Sequence, residues 1–407
     1  MHALFTADHF DLDNLGGAGR VLWELVERFV RRGHDVSLVA GSRAPAIRRL
    51  QTQRAAFQWI SFPYPLRGAR GAGFFFNVRR DFRNALELLS APPDVVIHNQ
   101  PLTGELCGER PERSVYIFHS PWPAEYLADR CSAESARLGS KLGARTRLAV
   151  GARRFLERRV VERAGAIVTL SQHMRERLVH LHRIDEEKVH VCPGGVDLAQ
   201  FQSVDACRRA KLRAQLQVAP EELLLVSVRR LVHRTGIDLL LDALALLSRE
   251  TRARFRVILA GRGPLEAELR TRSRGLGLNE CVRFAGYVSD DSLAELYAAA
   301  DLAVVPTRAL EGFGLSTLEA LACGTPVLAT AIGGSVEILR GLDERLLCAE
   351  ATPQSLAGAL FQWATDRAAL AALRARCRPF VEANYSWDEM TDRVEALAVG
   401  EFEPALA

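Results

Sequence analysis

The segment TRALEGFGLSTLEALACGTPVLAT, residues 307–330, sets the architecture of this chain. An apolar run at 302–305 precedes it and a second one at 327–330 ends it, and both runs are typical of buried strands. Between them, a loop of small residues leads into a helix-forming stretch. Strand, loop, helix and strand in this order form one unit of an open parallel sheet.

The helix of this segment has signals at both ends. Ser316 is predicted as its N-cap, and Ser316-x-x-Glu319 fits a capping box, in which the two side chains accept hydrogen bonds from otherwise free backbone N–H groups. Gly324, which is followed two residues later by a proline, predicts the C-terminal end.

The loop 311–315 has the chemistry of a diphosphate site. Gly312 and Gly314 let the backbone approach a ligand closely, and the first N–H groups of the helix lack intrahelical partners. The positive end of the helix dipole also favours an anion. Glu311 and Glu319 flank the loop, and carboxylates suit sugar hydroxyls rather than phosphate. The pattern therefore predicts a nucleotide-sugar pocket.

Length and composition predict an ordinary globular protein. The 407 residues suffice for two or three domains, and 48% are hydrophobic and 25% charged. No run of 18 apolar residues predicts a membrane span, and the N-terminus lacks the features of a signal peptide. The eight cysteines are scattered singly, without metal-ligand spacing. We therefore expect reduced thiols and a cytoplasmic protein.

The basic residues are nearly all arginine. Because the dense basic surface with interleaved aromatic side chains that binds nucleic acids is missing, we expect no nucleic-acid partner. The strongest local excess of positive charge lies at 137–163. A solvated helix face explains it, and a peripheral membrane surface for anionic lipid, or a cradle for an anionic acceptor, is the alternative.

The first half of the chain begins with another sheet unit. A strand at 2–7 is followed by the loop Gly16-Gly17-Ala18-Gly19, a helix from about Arg20 and a strand at 36–40. The loop lacks the full G-x-G-x-x-G spacing, and Gly41-Ser42-Arg43 stands where a dinucleotide fold has an acidic residue. We therefore predict no nicotinamide or flavin cofactor.

His119 is the candidate catalytic residue of this half. It follows an apolar strand at 114–118, and open α/β sheets bind ligands at the carboxyl ends of their strands. A histidine that is hydrogen-bonded within a loop is the alternative.

The second half repeats the pattern from a near-continuous apolar strand at 223–228. We predict an α/β protein of two doubly wound Rossmann-like domains that face each other across a cleft. The N-terminal domain is expected at 1–198, with a C-terminal helix at about 385–407 packing back on it. The C-terminal domain, at 199–384, is expected to bind the nucleotide sugar, and the cleft is the default ligand site.

Several motifs together resemble one family. They are Glu311-x7-Glu319, Gly333-Gly334-x-x-Glu337, the GRGP loop at 261–264 and CPGGVDLAQF at 192–201. On these motifs the chain is similar to the retaining glycosyltransferases of family 4, which have the GT-B fold. The similarity spans about residues 2–395, and the second half is the more specific.

The resemblance implies a role for each candidate residue. In the second domain, Glu319 would hold the donor ribose, Arg230 would meet the pyrophosphate, and Glu311 would hold the transferred sugar. The residues that follow Glu311 would bind the sugar and the diphosphate; these are Gly312, Phe313, Gly314 and Leu315. From the first domain, Gly16 and Gly17 would close on the diphosphate, and His119 would lie beside the reacting sugar.

One position departs from the family pattern. A lysine usually precedes the glycine of the loop at 229–236, and Thr235 stands there instead. That lysine would bring a second positive charge to the leaving diphosphate. Either Arg234 supplies the charge or the charge is missing.

We therefore expect an enzyme that moves a hexose from a nucleoside diphosphate sugar to an acceptor hydroxyl with retention of configuration. UDP is favoured over GDP on family frequency alone, and His119, Arg230 and Glu311 are the expected catalytic residues. A nucleotide-sugar epimerase or hydrolase of the same fold, and a non-catalytic nucleotide-sugar binding protein, are the alternatives. The oligomeric state is left open.

Neither a metal nor a cofactor besides the nucleotide sugar is expected. Arginine and the helix dipole neutralise the diphosphate in this interpretation. Asp11-Leu12-Asp13 has the form of the metal-binding D-x-D motif of other sugar transferases, but its place in a loop favours ordinary turn chemistry.

Overall fold

A computed structural model describes residues 1–12, 15–43, 47–51, 56–64, 72–108, 113–128 and 143–400. The chain forms two compact units. The first comprises Met1–Pro123, Leu142–Gly194 and Trp387–Ala407, and the second Ala124–Lys141 and Gly195–Ser386. The larger segment of the second unit begins at Gly195, close to Leu198, near which the sequence places the boundary.

The strands and helices alternate along most of the chain. The strands are β1 (His2–Ala7), β2 (Asp35–Ser42), β3 (Ile47–Gln51), β4 (Ala56–Pro63), β5 (Val95–His98), β6 (Ser114–Phe118), β7 (Ala166–Thr169), β8 (Val189–Val191), β9 (Leu223–Val228), β10 (Phe255–Ala260), β11 (Val282–Gly286), β12 (Leu302–Val305), β13 (Val327–Thr330) and β14 (Leu347–Cys348). The helices are α1 (Gly17–Arg31), α2 (Ala72–Leu86), α3 (Pro101–Cys107), α4 (Trp122–Ala128), α5 (Ala144–Arg163), α6 (Gln172–His182), α7 (Ala206–Gln215), α8 (Ile237–Leu246), α9 (Arg249–Arg252), α10 (Glu266–Gly275), α11 (Asp290–Ala299), α12 (Leu315–Ala322), α13 (Ser335–Leu342), α14 (Pro353–Thr365), α15 (Arg367–Asn384) and α16 (Trp387–Val399).

The first unit is built on a sheet in the order β3-β4-β2-β1-β5-β6-β7-β8. Neighbouring strands are parallel except for β3, which pairs antiparallel with β4 at one edge. Helix α1 forms as its apolar periodicity predicts: Val21, Leu22, Leu25, Val26 and Phe29 are buried. Gly33 then ends the helix in the left-handed conformation, with φ of 84°.

The last helix, α16, belongs to this first unit. Trp387, Met390 and Val394 are buried. Ion pairs join the helix to α1, from Arg28 to Asp388 at 2.9 Å and from Arg32 to Glu395 at 2.7 Å. Apolar contact therefore holds the helix, because exposed ion pairs of this kind add little stability.

The second unit is built on an all-parallel sheet in the order β11-β10-β9-β12-β13-β14. The prediction of α/β domains with parallel sheets is confirmed. Between residues 43 and 92 the sequence predicts a less regular segment, whereas the structure forms β3, β4 and α2 there. The structure of this region depends on the pairing of β4 with β2 and on contact with the core around Phe82. It does not depend on a periodic pattern in the sequence.

Candidate active site

The candidate donor site lies where the strand order of the second sheet reverses. β9 and β12 are neighbours there, and their connections leave toward opposite sides, which is where open α/β sheets bind ligands. The loops that follow these two strands are joined directly. The carbonyl of Arg234 accepts the backbone N–H groups of Arg308 and Ala309, at 2.9 and 3.3 Å.

Glycine is required where these loops meet. At Gly236, φ is 72° and an added Cβ would lie 1.8 Å from the carbonyl oxygen of Pro306. At Gly333, φ is 76° and a Cβ would lie 2.2 Å from the carbonyl oxygen of Glu311. The loop after β12 is therefore packed between two other backbone segments, and its shape is fixed before a ligand binds.

Helix α12 begins two residues earlier than the sequence predicts. Gly314 is the N-cap, with φ of 112°, and Leu315 is the first helical residue. The predictions of Ser316 as N-cap and of a capping box with Glu319 are therefore wrong. The close packing of the loop forces a left-handed residue at 314, which only glycine adopts readily, and this places Ser316 within the first turn.

The start of α12 retains free hydrogen-bond donors. Among the described residues, the backbone N–H groups of Leu315 and Ser316 have no acceptor, whereas Thr317 and Leu318 donate to the carbonyl of Gly314 at 2.9 and 3.2 Å. Two unpaired N–H groups at the positive end of a helix favour an anion.

Glu311 is held by one of its two carboxylate oxygens. Its Oε2 accepts hydrogen bonds from Arg229 Nη2 at 2.5 Å and from Thr307 Oγ1 at 3.2 Å. Its Oε1 has no hydrogen-bond partner in the described part of the chain. One oxygen is thus anchored by the protein, and the other can accept a hydrogen bond from a ligand hydroxyl.

Glu311 is held in its ionised form. Burial acts to raise its pKa, but the charge and hydrogen bond of Arg229 oppose burial. The nearby charge of Arg234 and the hydroxyl of Thr307 act in the same direction, so the pKa of Glu311 lies below its ordinary value. The side chain is therefore a carboxylate acceptor at neutral pH.

Arg229 is the residue of this site that the sequence reasoning missed. Its side chain is buried, whereas Arg230, the predicted pyrophosphate ligand, is exposed and its guanidinium has no partner among the described residues. Successive side chains at the end of a strand point to opposite sides, so two adjacent arginines face different surroundings. The pair Arg229-Arg230 carries no signal in the sequence that tells which one faces Glu311.

Arg234 and Thr235 shape the loop after β9. Arg234 Nη1 donates to the carbonyl of Leu310 at 3.0 Å, and Leu310 has the unusual φ of 58°. Thr235 is buried, and its hydroxyl lies 2.8 Å from the carbonyl of Arg230 and 2.7 Å from that of Val232. Thr235 thus closes the turn and brings no charge to the site.

Glu319 lies in α12 and is 9% exposed. Burial is the main reason that the pKa values of Tyr297 and Cys323 are raised, and the negative charge of Glu319 adds to both shifts. Phe313, in the loop before the helix, is also buried and its ring contacts Tyr385, 6.1 Å away between centroids. The second unit therefore brings Glu311, Glu319 and the loop 312–315 together on one short stretch of chain.

The first unit has a comparable reversal between β1 and β5. Helix α1 begins there at Gly17 after the N-cap Gly16, and both glycines are exposed. Asn99, which the sequence reasoning did not single out, follows β5. Its Nδ2 donates to the carbonyl of Ala18 at 3.2 Å, and its Oδ1 lies 2.8 Å from His119 Nε2. Asn99 thus links His119 to the glycine-led start of α1.

These contacts determine the tautomer of His119. The carbonyl of Ala18 can only accept, so the amide nitrogen of Asn99 faces it and the amide oxygen faces His119. Nε2 must therefore carry the proton, and Nδ1 is an acceptor without a partner among the described residues. Burial lowers the pKa of His119 to about 4.

We predict that the His119 imidazole stays neutral far below the ordinary histidine pKa. NMR titration of ring-labelled histidine is expected to give a midpoint near pH 4 for this residue. Because the pKa is lowered in the folded state, protonation favours the unfolded chain, and stability falls as the pH drops below 6.5. In Asn99→Ala the Nε2–H tautomer should lose its preference. A wild-type midpoint between pH 6 and 7 would contradict the assignment.

Two family models match the chain. The model described as "Glycosyltransferase Family 4" matches residues 15–200, and the model described as "Glycosyl transferases group 1" matches residues 208–382. Together they cover most of both units. The chain belongs to glycosyltransferase family 4.

Curated relatives of this family member include two proteins named D-inositol 3-phosphate glycosyltransferase. The one from Jonesia denitrificans is 36% identical over 239 residues, which are 57% of this chain and 56% of that protein. The one from Kineococcus radiotolerans is 39% identical over 237 residues, 54% of each. The chain thus matches little more than half the length of these relatives.

Solved structures share the whole fold. Sucrose-phosphate synthase from Thermosynechococcus elongatus matches with a TM-score of 0.76 and 22% identity, over 98% of this chain and 99% of that one. Anabaena HepE, solved in complex with UDP-glucose, matches with a TM-score of 0.72 and 20% identity, over 98% and 99%. At these identities the matches establish the GT-B fold of this family-4 chain and nothing finer.

Among the described residues, no helix combines the length and the apolar character needed to cross a bilayer. No three or more His, Cys, Asp or Glu side chains there are grouped so that they could hold a metal ion. Asp13 of the D-x-D sequence, and residues 137–142 of the basic segment, lie outside the described residues.

Proposed function

We propose that this protein transfers a hexose from a nucleoside diphosphate sugar to a hydroxyl group of an acceptor, with retention of configuration and without a metal ion. The arrangement of the second unit carries the proposal. Unpaired N–H groups at the start of α12 suit a diphosphate, and the free oxygen of Glu311 suits a hydroxyl of the attached sugar. The names of the curated relatives support the same reaction class.

A small number of groups take part in the proposed reaction. The N–H groups of Leu315 and Ser316 and the guanidinium of Arg230 take up charge as the bond between the anomeric carbon and the diphosphate breaks. Glu311 Oε1 holds a hydroxyl of the hexose and so orients the anomeric carbon. The acceptor oxygen attacks from the face that the diphosphate leaves, and its proton passes to the departing phosphate oxygen.

The first unit is proposed to serve the acceptor side. His119, with Nδ1 available as an acceptor, would hold a hydroxyl beside the reacting carbon, and Gly16 and Gly17 would approach the diphosphate. Glu319 would hold the ribose hydroxyls of the donor. We propose UDP rather than GDP as the leaving nucleoside diphosphate, and the UDP-glucose complex of HepE supports this choice.

A thermal-shift panel followed by a transfer assay tests this function. Nucleoside diphosphates and their sugars are expected to raise the unfolding temperature in order of affinity, with UDP and UDP-hexoses foremost. Donor turnover is then measured with and without hydroxyl acceptors, beginning with D-inositol 3-phosphate. Donor consumption without acceptor would indicate an epimerase or hydrolase. Donor binding without turnover under any condition would indicate a binding protein, and no binding would overturn the proposal.

We predict that a chelator leaves the transfer rate unchanged. Arginine and helix N–H groups neutralise the diphosphate in the proposed reaction, so no divalent ion is needed to neutralise it. The rate is measured with the donor in excess, before and after treatment with EDTA and removal of the chelate. Loss of activity with recovery on adding Mg²⁺ would refute metal independence.

We further propose that α5 lies on a membrane surface that contains anionic lipid. Leu148 and Phe155 are 76% and 59% exposed, and their spacing of seven residues places them on one face. Exposed arginines accompany them; these are Arg145, Arg147, Arg154 and Arg158. Next to Arg154 opens a cavity of about 550 Å³, which Arg183 and His180 also line. Apolar side chains among cations are typical of helices that bind at a bilayer interface.

Liposome sedimentation measures this contact. The protein is expected to bind vesicles that contain phosphatidylglycerol and to be released from them by salt. It is expected not to bind neutral vesicles. The double variant Leu148→Ser/Phe155→Ser should lose binding, whereas Phe361→Ser, which removes another exposed aromatic side chain from α14, should not. Absence of salt-sensitive binding by the unaltered protein would rule the contact out.

A further inference from the structure

The loop after β9 brings three arginines to the donor site, and each has a different environment. Arg230 is exposed, and Arg234 is engaged with the carbonyl of Leu310. Arg229 is the one whose guanidinium contacts Glu311. Thr235 occupies the position where the family resemblance leads one to expect a lysine, and it carries no charge. The positive charge in direct contact with Glu311 therefore comes from Arg229 at the start of this loop, and Arg234 acts on Glu311 without a direct contact.

The Arg229 guanidinium bridges separate parts of the site. Nη2 lies 2.5 Å from Glu311 Oε2 and 3.1 Å from Thr307 Oγ1. Nη1 lies 3.4 Å from Ser316 Oγ in the first turn of α12. The arginine and glutamate side chains are only 7% and 13% exposed. Burial makes their separation costly, since removing either partner leaves a poorly solvated charge.

The backbone fixes the point from which this side chain extends. The N–H of Arg229 donates to the carbonyl of Ala260 at 2.9 Å. A Cβ at Gly261 would lie 2.0 Å from the carbonyl oxygen of Arg229, so the end of β10 can pack closely here only because residue 261 is glycine. The backbone of Arg229 is thus held against the end of β10, which fixes the point from which the guanidinium extends.

We propose that Arg229 is a positioning residue that acts through Glu311. It anchors Oε2, together with Thr307, and thereby turns Oε1 toward the hexose of the donor. The proposal rests on the proposed donor site, and it assigns a role to a residue that the family motifs do not include.

The test compares Arg229→Lys and Arg229→Gln in the full-length protein, with UDP and UDP-glucose as probes. Arg229→Gln is expected to remove most of the extra affinity of UDP-glucose over UDP, while the affinity for UDP alone changes by less than about threefold. The rate kcat/KM should fall at least tenfold, and Arg229→Lys should restore part of it. Arg283→Gln, an exposed arginine on β11, is the matched control and should behave as wild type.

The pH dependence of kcat/KM distinguishes a positioning role of Arg229 from a general loss of structure. The charged groups that influence Glu311 are Arg229 and Arg234; its other close neighbours, Thr307 and the backbone of Gly333 and Gly334, do not titrate. Removing Arg229 should therefore shift the acidic limb of kcat/KM to higher pH, and Arg229→Lys should shift it back. In Arg229→Gln/Glu311→Gln, the two losses should not add, because both variants remove the same interaction.

The outcomes distinguish this inference from the proposed function. If the wild-type protein does not bind UDP or UDP-glucose, the donor site itself is wrong. If wild type binds and turns over the donor but Arg229→Gln keeps the wild-type acidic limb, or if the two losses add, the role of Arg229 is wrong and the donor site stands. Circular dichroism and the affinity for UDP report whether each variant is folded.

Discussion

Replacing Glu311 by alanine is expected to lower kcat/KM at least tenfold, and a loss approaching a hundredfold to a thousandfold is consistent with removing a preorganised polar contact in an active site. A tenfold loss corresponds to about 1.4 kcal/mol of transition-state stabilisation. The physical reason is twofold. The hexose loses the acceptor Oε1, and Arg229 is left buried with an unbalanced charge.

Glu311→Gln separates these two effects. The amide retains an acceptor oxygen of nearly the same shape but has no charge, so it cannot balance Arg229. We expect its kcat/KM to lie between those of wild type and Glu311→Ala. Glu344→Gln, which neutralises an exposed glutamate in the same unit, is the control and should leave the rate unchanged. Initial rates over a range of donor concentrations provide the measurement. Wild-type turnover by both Glu311 variants would remove this residue from the site.

Replacing Gly314 by alanine is expected to destabilise the second unit and to abolish donor binding. Gly314 has φ of 112°, and its added Cβ would lie 2.4 Å from Ser335 Oγ. A non-glycine residue in such a conformation costs about 1–3 kcal/mol, and the contact with Ser335 adds to this. Because Gly314 is the N-cap of α12, any relief of the strain moves the N–H groups that are proposed to bind the diphosphate.

Two further variants show which part of the effect is steric. Gly314→Ala/Ser335→Gly removes the close contact but not the backbone strain, so it should recover stability only in part. Gly358→Ala, within α14, meets no atom within 4 Å and should be neutral or stabilising. Thermal unfolding with and without UDP measures both properties. A Gly314→Ala protein with wild-type stability and an undiminished UDP-induced shift would show that the shape of this loop is unimportant.

Local sequence signals locate some of the helix ends. A serine directly before a helix-forming stretch predicts Ser171 as the N-cap of α6, and its Oγ accepts the N–H of Met174 at 3.2 Å. Gly324 was predicted to end α12, and it has the left-handed φ of 74°. Both signals involve residues that are close in the chain, so neither depends on distant parts of the protein.

The same type of signal failed at Ser316. Serine is a good N-cap in isolation, but the loop before α12 is packed against Gly334, where a Cβ would lie 2.6 Å from the Cα of Phe313. This close packing sets the helix start at Gly314. A segment that is distant in sequence thereby overrides a local preference.

Outside residues 43–92, the alternation of strands and helices could be predicted from the sequence, and so could the glycine-containing loop ahead of α12 and its two flanking glutamates. Hydrophobic period, caps and spacing are properties of a short stretch of chain. Three contacts became known only from the folded chain: Arg229 rather than Arg230 holds Glu311, Thr235 turns its hydroxyl into its own loop, and Asn99 sets the tautomer of His119. The contacts of Arg229 and Asn99 join loops that follow different strands. The sheet determines which loops come together, so a single stretch of sequence does not identify the partners in these contacts.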